Sequence, residues 1–465
     1  MSLLTSSLKI TVSRVTQTAL SFLGIVYFAR ELGAAELGVF FLFQALYNIL
    51  NFVGDIGLSG AMVKRVSEGS EPGRVLTTGL LVKLPGVGVV VVAVVALQGM
   101  INSYFGAELA LLLAVGVFLT SYSSVAVKIL QAELEMGYFA FLLFLQTVIF
   151  VGVGAVLINA GFGVRGLVLG LILSDIVIIV SAGLLWSTPL RRPGLEHARS
   201  LFGFSKFQFV MNLTARGLSW ADVLVIGAVL SQAHVGAYEV AWRASKPAVL
   251  LTTAVGNVTF PRISGLSVVD DAAEIRELVG DGLALALLLP IPALFGAILF
   301  SSEILNFIFG ESYGVAWLVL IVLMAGRVTQ SVFLILQRTL QGLDQVHLLA
   351  RAAVIVFVVN LVGNVVLVST YGIVGAAVAS AISFALYAAL EFQWLSRSVP
   401  ISIDRRLVAT SLLASVVMAI GLGAVDRFVE IQNVQTLVGL IAAGALVYGG
   451  IVWADPYVRR TIRGI

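Results

Sequence analysis

Apolar runs of about 20 residues recur from one end of this chain to the other, and no long polar segment separates them. A run of that length is what an α-helix needs to cross the roughly 30 Å hydrocarbon core of a bilayer. In that solvent every backbone N–H and C=O must be satisfied within the protein, which restricts the fold to helices or closed barrels. Charged residues make up only 11% of the chain, against about 25% in an ordinary soluble domain. The sequence therefore predicts an all-α polytopic membrane protein.

Hydropathy and helix breakers divide the chain into about fourteen predicted transmembrane helices. One polar stretch, TPLRRPGLEHARSLFGFSK from Thr188, separates the first six from the last eight. The predicted centres are Leu20, Tyr47, Val89, Val115, Val148 and Leu173 before this stretch, and Gly217, Leu250, Leu288, Val322, Val356, Ser383, Ser415 and Ala443 after it.

The cationic residues of the loops fall mainly on one side of this predicted topology. Only Arg30, Arg165 and Arg427 lie in the loops of the other side. Cytoplasmic loops of membrane proteins carry an excess of Lys and Arg. We therefore expect a multi-pass protein of the cell membrane with both termini and the polar linker in the cytoplasm.

Three pairs of segments indicate an internal repeat. ARELGAAELGVF from Ala29 aligns with GAVLSQAHVGAY from Gly227, LQAELEMG from Leu130 with LQGLDQVH, and FGVRGLVLG from Phe162 with YGIVGAAVA. The offsets are similar and the order is kept, and six helices per repeat would give both halves the same orientation. The predicted organisation is an N-terminal six-helix lobe (1–190), a cytoplasmic linker (191–205), a second six-helix lobe (206–398) and two additional C-terminal helices (399–465). Substrate sites in repeat transporters usually lie at the interface between the halves.

Polar side chains follow helical spacing on several of the predicted spans, which indicates a water-filled cavity between the lobes. Interhelical packing by hydrogen bonds is the alternative for the Asn and Ser positions, and snorkelling to the membrane surface is the alternative for Arg14. The predicted cavity-lining residues are Arg14, Gln17, Thr18, Gln44, Asn48, Asn51, Asn212, Ser219 and Gln330.

Cations within the predicted spans need a partner, because a charge at the bilayer centre costs about 2.5 to 3.5 kcal/mol on insertion scales. Glu239, Arg243 and Lys246 lie at i, i+4 and i+7, so Glu239 and Arg243 could form a purely structural ion pair. Arg216 and Arg327 have no acidic residue three or four positions away, and either an anion or a distant carboxylate must face them. Asp175 and Asp222 could serve as those carboxylates or, with Asp55, could bind a coupling ion.

The chain has no cysteine, and its three histidines lie far apart in sequence. This pattern excludes disulfides and thiolate metal sites and argues against metal chemistry. We expect no metal, no cofactor and no nucleic-acid partner.

The stretch FARELGAAELGVFFLFQALYNILNFVGDIGLSGAMVKRVSEG carries an LGxxxxG turn and a DxGL motif before a cationic end. With the LQxxxxM loop and the GVRGLVLG segment, it resembles polysaccharide flippases of the Wzx type, in the multidrug/oligosaccharidyl-lipid/polysaccharide exporter superfamily. The resemblance implies a V-shaped pair of six-helix bundles with two extra helices, and translocation of a polyprenyl-linked sugar from the inner to the outer leaflet. It also implies that cavity cations hold the anionic headgroup, which by position would be Arg216, Arg243, Lys246 and Arg327.

Such a transporter makes and breaks no covalent bond and is not an enzyme. Its expected partners are a lipid-linked glycan, membrane lipids and a proton or Na⁺ as coupling ion, and we expect a monomer. Two other classes stay open. A drug or cation antiporter of the same superfamily should have an acidic or aromatic cavity, and a membrane-embedded glycosyltransferase or polymerase should have catalytic carboxylates and a larger outer loop.

Overall fold

The computed structural model of the protein describes residues 3–69, 71–133, 135–268, 271–401 and 404–459, without the side chains of 3–15, 206–208 and 210–215. All regular secondary structure in these ranges is helical. Within them, nine segments are long and apolar enough to cross a membrane. The chain forms two compact units, Met1–Gly236 and Ala237–Ile465.

The first unit contains eight α-helices and the first five residues of a ninth. Its interior includes two hydrophobic clusters, one of them around Leu58, Met62 and Leu76 and the other around Leu130 and Leu142. The helices are α1 (Leu3–Asp55), α2 (Leu58–Ser67), α3 (Pro72–Ala96), α4 (Gln98–Phe105), α5 (Ala110–Ala132), α6 (Met136–Leu157), α7 (Gly163–Leu185) and α8 (Leu195–Val229), and α9 (Gln232–Ser245) begins in this unit.

The second unit continues α9 through a short 3₁₀ turn at Lys246–Val249. One hydrophobic cluster of this unit joins Leu283, Leu336 and Leu395 with residues of the last two helices. Its helices are α10 (Leu250–Val268), α11 (Ala272–Ala286), α12 (Pro290–Glu303), α13 (Trp317–Gly342), α14 (Val346–Leu395), α15 (Arg405–Asp426) and α16 (Val434–Ala454).

Glycines break the two longest helices. Gly33 in α1 has φ 71° and Gly372 in α14 has φ 60°, in the region that residues with a Cβ rarely adopt. Each of these helices therefore consists of two helical parts. A similar break at Gly161 and Gly163, both with positive φ, separates α6 from α7.

Prolines divide two of the predicted helices. The predicted centre Leu288 lies between α11 and α12, whereas the other thirteen predicted centres lie within described helices or at the start of one. Pro290 has no N–H to donate to the carbonyl of Ala286, which instead accepts a hydrogen bond from Thr252 Oγ1 at 2.9 Å, and α11 ends at Ala286. Pro247 likewise has no N–H to donate to the carbonyl four residues earlier in α9, and the chain forms a 3₁₀ turn at Lys246–Val249.

The helix surfaces expose many large apolar side chains. Val89 on α3 is 70% exposed, and Val358, Val362 and Val366 on α14 are all exposed. A soluble protein rarely presents apolar patches of this extent, whereas hydrocarbon tails contact them at no cost. This surface is that of a membrane protein.

Two glycines of the first unit allow a close helix crossing. A Cβ added to Gly38 on α1 would lie 1.8 Å from the carbonyl oxygen of Gln232, and one added to Gly236 on α9 would lie 2.0 Å from the carbonyl oxygen of Ala34. The contact is reciprocal, because each glycine meets the residue four positions before the other.

The segment 186–194, between α7 and α8, is not helical and is held by hydrogen bonds. The Glu133 carboxylate accepts from the N–H of Ser187 (3.1 Å) and of Thr188 (2.8 Å). Near its other end, the N–H of Gly194 donates to Thr78 Oγ1 at 3.0 Å. The polar stretch is thus fixed to the ends of α3 and α5.

Candidate functional site

Arg327 on α13 is the most enclosed of the predicted headgroup cations, with 2% of the residue exposed. Its Nε and Nη2 donate to Ser245 Oγ at 3.0 and 2.8 Å, and Nη2 also donates to the Trp242 carbonyl at 3.3 Å. Its Nη1 donates to Gln330 Oε1 at 2.6 Å. These contacts lock the guanidinium between α9 and α13.

Aromatic rings cover the same guanidinium. Its carbon lies 4.2 Å from the centroid of Trp242 and 5.8 Å from that of Phe384, which is cation–π range. Phe333 stacks on Phe384 and on Tyr387, so the aromatic contacts continue along α13 and α14.

Arg243 forms the ion pair that sequence spacing left open. Its Nε donates to Glu239 Oε2 at 3.1 Å, one turn earlier on α9. The Glu239 carboxylate is almost fully buried, with 6% of its side chain exposed, and Arg243 is more open at 20%. The pair leaves part of the guanidinium at the surface of the unit.

Lys246 is exposed at the start of the 3₁₀ turn. Arg243, Arg327 and Glu239 all act on it electrostatically. Among these four described charges, three are cationic and one is anionic. The structure therefore brings together Arg243, Lys246 and Arg327 and produces an excess of positive charge around the exposed Lys246 side chain.

Arg216 lies on α8 in the first unit. It is partly buried, with its guanidinium carbon 5.5 Å from the centroid of Phe52. Lys128 on α5 lies within electrostatic range of Arg216 and of Asp55. Two further predicted residues, Arg14 and Asn212, lie outside the side chains that the structure describes.

Asp55, predicted as a possible coupling carboxylate, forms a salt bridge that sequence reasoning missed. Lys83 Nζ lies 2.6 Å from Asp55 Oδ1, and Lys83 is completely buried. The same ammonium donates to Ser59 Oγ at 3.1 Å and to the Ser121 carbonyl at 2.6 Å. Lys83 was recognisable in the sequence as a cation inside a span, but its partner is 28 positions away and no spacing rule identifies it.

Asp175, predicted either as a distant partner of an arginine or as a coupling carboxylate, has other donors. It is fully buried and accepts hydrogen bonds from the Tyr47 hydroxyl and from Gln146 Nε2, the latter at 3.1 Å. Asp222 on α8 is also buried.

Several predicted cavity residues make packing hydrogen bonds within the first unit. Gln17 Nε2 donates to the Leu143 carbonyl and to Thr147 Oγ1 on α6, both at 3.1 Å. Asn51 Oδ1 accepts from Ser121 Oγ at 2.7 Å, and Asn48 Nδ2 donates to the Gln44 carbonyl at 2.7 Å. Thr18 and Ser219 are exposed, and Gln330 binds Arg327 in the second unit.

A polar cluster at the surface joins α3 to the start of α8. The ligand atoms of Glu71, Glu196 and His197 lie within 4.8 Å of one another. Arg74 Nη1 is 3.1 Å from Glu71 and 4.0 Å from Glu196, and the hydrogen bond from Arg74 holds the pKa of the Glu71 carboxyl below its usual value. The arrangement is that of a surface ion-pair network, and the expectation of no metal stays a prediction.

Comparison with known proteins gives matches over most of the chain. A family model described as "Polysaccharide biosynthesis protein" matches residues 27–318. "Probable low-salt glycan biosynthesis flippase Agl15" of Haloferax volcanii is 38% identical over 99% of this chain and 98% of its own length. "Probable flippase AglR" of the same organism is 29% identical over 95% of this chain and 93% of its own.

Among solved structures, the chain is similar to "Lipid II flippase MurJ, inward closed conformation", with a TM-score of 0.83. The match covers 97% of this chain and 99% of the other at 16% identity. At that identity the likeness concerns the fold alone, and it confirms the all-α membrane class predicted from the sequence.

Proposed function

Because the chain belongs to the polysaccharide biosynthesis family of membrane flippases, we propose that it moves a polyprenyl-(pyro)phosphate-linked oligosaccharide from the cytoplasmic to the outer leaflet. The family consists of transporters and not enzymes. A relative named as a glycan biosynthesis flippase, similar over the whole length of both chains, is the observation that carries the proposal. The glycan would serve in assembly of a surface polysaccharide or glycoprotein.

The cations of the second unit are suited to the substrate's anionic group. A phosphate or pyrophosphate cannot cross hydrocarbon bare, and a cationic side chain binds its oxygens by charge-assisted hydrogen bonds. Lys246 is exposed and would contact the phosphate, with Arg243 beside it. Arg327 is held by its own hydrogen bonds and would act mainly through its charge. Arg216 is a further proposed headgroup residue in the first unit.

We propose fourteen membrane crossings for this transporter. Three of the nine apolar segments contain a glycine break and are 40 or 50 residues long, enough to cross twice at 1.5 Å per residue. If each of these three segments crosses twice and the other six cross once, the nine segments make twelve crossings. The other two crossings would be α8 and the continuous helical stretch from α9 to α10.

The reciprocal contact of Gly38 and Gly236 supports a parallel six-plus-six repeat. The two glycines, and likewise Ala34 and Gln232, are separated by the repeat offset of 198. When two repeats are related by a two-fold axis, a surface segment of one repeat contacts the equivalent segment of the other. This proposal includes the six-helix lobes 1–190 and 206–398, the linker 191–205 and the extra helices in 399–465. It also includes the V shape, the cytoplasmic termini and the monomeric state.

Transport by the purified protein tests the proposal. Proteoliposomes would contain a polyprenyl pyrophosphate bearing a fluorescent oligosaccharide, and a membrane-impermeant glycosidase would report the fraction of glycan on the outer face. We expect exposure of the inner-leaflet glycan to be much faster than in protein-free vesicles. Uptake of a lipophilic cation such as tetraphenylphosphonium with no movement of the glycan would instead establish the antiporter alternative.

A further inference from the structure

The carboxyl of Glu391 is buried in the second unit without a hydrogen-bond partner. The residue is 0% exposed, and neither of its carboxyl oxygens forms a hydrogen bond within the described part of the chain. It lies on the second part of α14, four residues before the helix ends at Leu395, which is about 6 Å along the helix axis. The group is therefore enclosed but close to the end of its helix.

The neighbouring helix α13 has one charged residue at the same height along the helix axis as Glu391. Phe333 stacks on Tyr387 with a centroid distance of 4.9 Å, and Gly326 faces Ala381, so the two helical parts run in the same direction. This register brings Arg338 to the level of Glu391. Arg338 donates to Gln341 Oε1 at 3.0 Å and to Asn257 Oδ1 at 3.4 Å.

The first part of α14 has a small apolar residue opposite Glu391. Asn360 Nδ2 donates to Ser383 Oγ at 3.0 Å, and this antiparallel register places Ala352, which is fully buried, opposite Glu391. Arg351 beside it is exposed. The titratable and charged groups around Glu391 are thus Tyr387 one turn away, Arg338 and Arg351, and no described ion pair includes Glu391.

A carboxylate with no donor in a protein interior is far less stable than the neutral acid. We propose that Glu391 is a proton-binding site, occupied by a proton in the conformation seen here and emptied when another conformation admits water past the end of α14. On release the carboxylic acid gives its proton to water and leaves a carboxylate, and the reverse step refills the site. Its use as a coupling site for transport rests on the proposed function.

The paired carboxylates of the first unit are less suited to this task. Asp55 is bound to Lys83, and Asp175 accepts from Tyr47 and Gln146. Both can stay ionised or hydrogen-bonded through a transport cycle, whereas Glu391 has no such partner.

Reaction with dicyclohexylcarbodiimide tests proton occupancy without any transport assay. This apolar reagent adds to a protonated carboxyl, and mass spectrometry of the purified full-length protein locates the adduct. We expect an adduct at Glu391 whose yield falls as the pH is raised from about 6 to about 10, because fully buried glutamates can lose their proton only at about pH 8 to 9. Glu391→Gln should abolish that adduct, and Glu311→Gln, at an exposed carboxyl, should leave it unchanged. Absence of the adduct at every pH, or protection by Na⁺ at constant pH, would overturn the proton assignment.

Glycan transport tests the coupling role. In proteoliposomes with a pH difference across the membrane, the wild-type rate should respond to the gradient, and the rate of Glu391→Gln should not. A normal gradient response in folded Glu391→Gln protein would overturn the role. If the wild-type protein moves no glycan, the proposed function fails, and the labelling experiment still decides whether Glu391 holds a proton.

Discussion

Lys246 and Arg327 belong to the same cluster of cations but differ in how far they are buried. Lys246 is exposed, whereas Arg327 is enclosed by Trp242 and held by Ser245 and Gln330. A side chain whose donors already have partners has little left for a ligand, but its charge still acts at a distance. The residue that binds a headgroup and the residue that strengthens the local potential can therefore be distinguished by mutation.

We predict that Lys246→Ala lowers affinity for the lipid-linked phosphate about tenfold, because one charge-assisted contact contributes about 1.5 kcal/mol or more. Folding should be unaffected, since the side chain is exposed. The affinity would be measured as the concentration of lipid-linked glycan that half-saturates transport, and thermal unfolding in detergent would be measured on the same preparation. Arg397→Ala, at another exposed cation, is the matched control. Wild-type affinity in the Lys246→Ala protein would exclude a headgroup contact at this position.

Arg327→Ala should instead destabilise the second unit by about 2 to 4 kcal/mol, because it removes a cation–π contact and leaves buried Ser245 without its donors. Arg327→Lys should restore only part of this stability, since an ammonium lacks the planar fork. The measurement is the unfolding temperature of each variant. An unchanged unfolding temperature in Arg327→Ala would show that the enclosed guanidinium has no structural role.

The buried Asp55–Lys83 pair gives a third prediction about individual residues. Breaking a buried ion pair costs about 3 to 5 kcal/mol, while replacing both partners is close to neutral. Asp55→Asn and Lys83→Met should each lower the yield of folded protein, and the double variant should recover it. If folded double variant still transports at the wild-type rate, Asp55 does not bind a coupling ion. Additive losses in the double variant would contradict a direct pair.

Sequence reasoning at the residue level worked where partners are close in the chain. The Glu239–Arg243 pair follows from i, i+4 spacing, and the structure contains it. Asp55 and Lys83 meet only through packing of α1 against α3, so their pairing was not predictable. Glu391 carried a usable signal that was missed, an acidic residue inside the apolar run SFALYAALEFQWL.

For the helices, the apolar runs in the sequence predicted where each helix lies, whereas prolines and hydrogen-bond partners determined where a helix is interrupted. The predicted centres lie in helices because burial of an apolar run requires a hydrogen-bonded backbone. Hydropathy places a helix centre at Leu288, and Pro290 and Pro292 in the sequence predict a bend there. A complete break was not predicted, because prolines within membrane helices often produce only a kink. The ends of α8 show the same limit, since a polar stretch can be loop or helix until its hydrogen-bond partners are known.

The crossing of α1 and α9 gives an element-scale prediction. Gly38→Ala should destabilise the protein by about 1 to 3 kcal/mol, because the new Cβ would overlap the Gln232 backbone and force the helices apart. Gly88→Ala in α3 is the control, because a Cβ there meets nothing within 4 Å. We expect that control to be neutral or stabilising by up to about 1 kcal/mol. Equal unfolding temperatures for the two variants would contradict a tight crossing.

In the whole molecule, the apolar segments determine that the chain lies in a bilayer, and the loop cations determine its orientation across the bilayer. The apolar runs require that the chain lie in a bilayer, and the nine apolar segments agree with that. They contain no information on which end faces the cytoplasm. The loop cations supply it, because translocation of Lys and Arg is disfavoured, so the loops and not the apolar helices determine the orientation.

Our last prediction tests that orientation and the number of crossings together. The chain has no cysteine, so single cysteines introduced at Ser200 on α8 and at Gln432 between α15 and α16 are the only thiols. With fourteen crossings and cytoplasmic termini, an odd number of crossings separates the two positions. A membrane-impermeant maleimide added to intact cells should therefore label Gln432→Cys and leave Ser200→Cys unlabelled until the cells are lysed. Labelling of both from the same side would require one crossing more or fewer between them, and exchange of the two patterns would reverse the orientation that the cations predict.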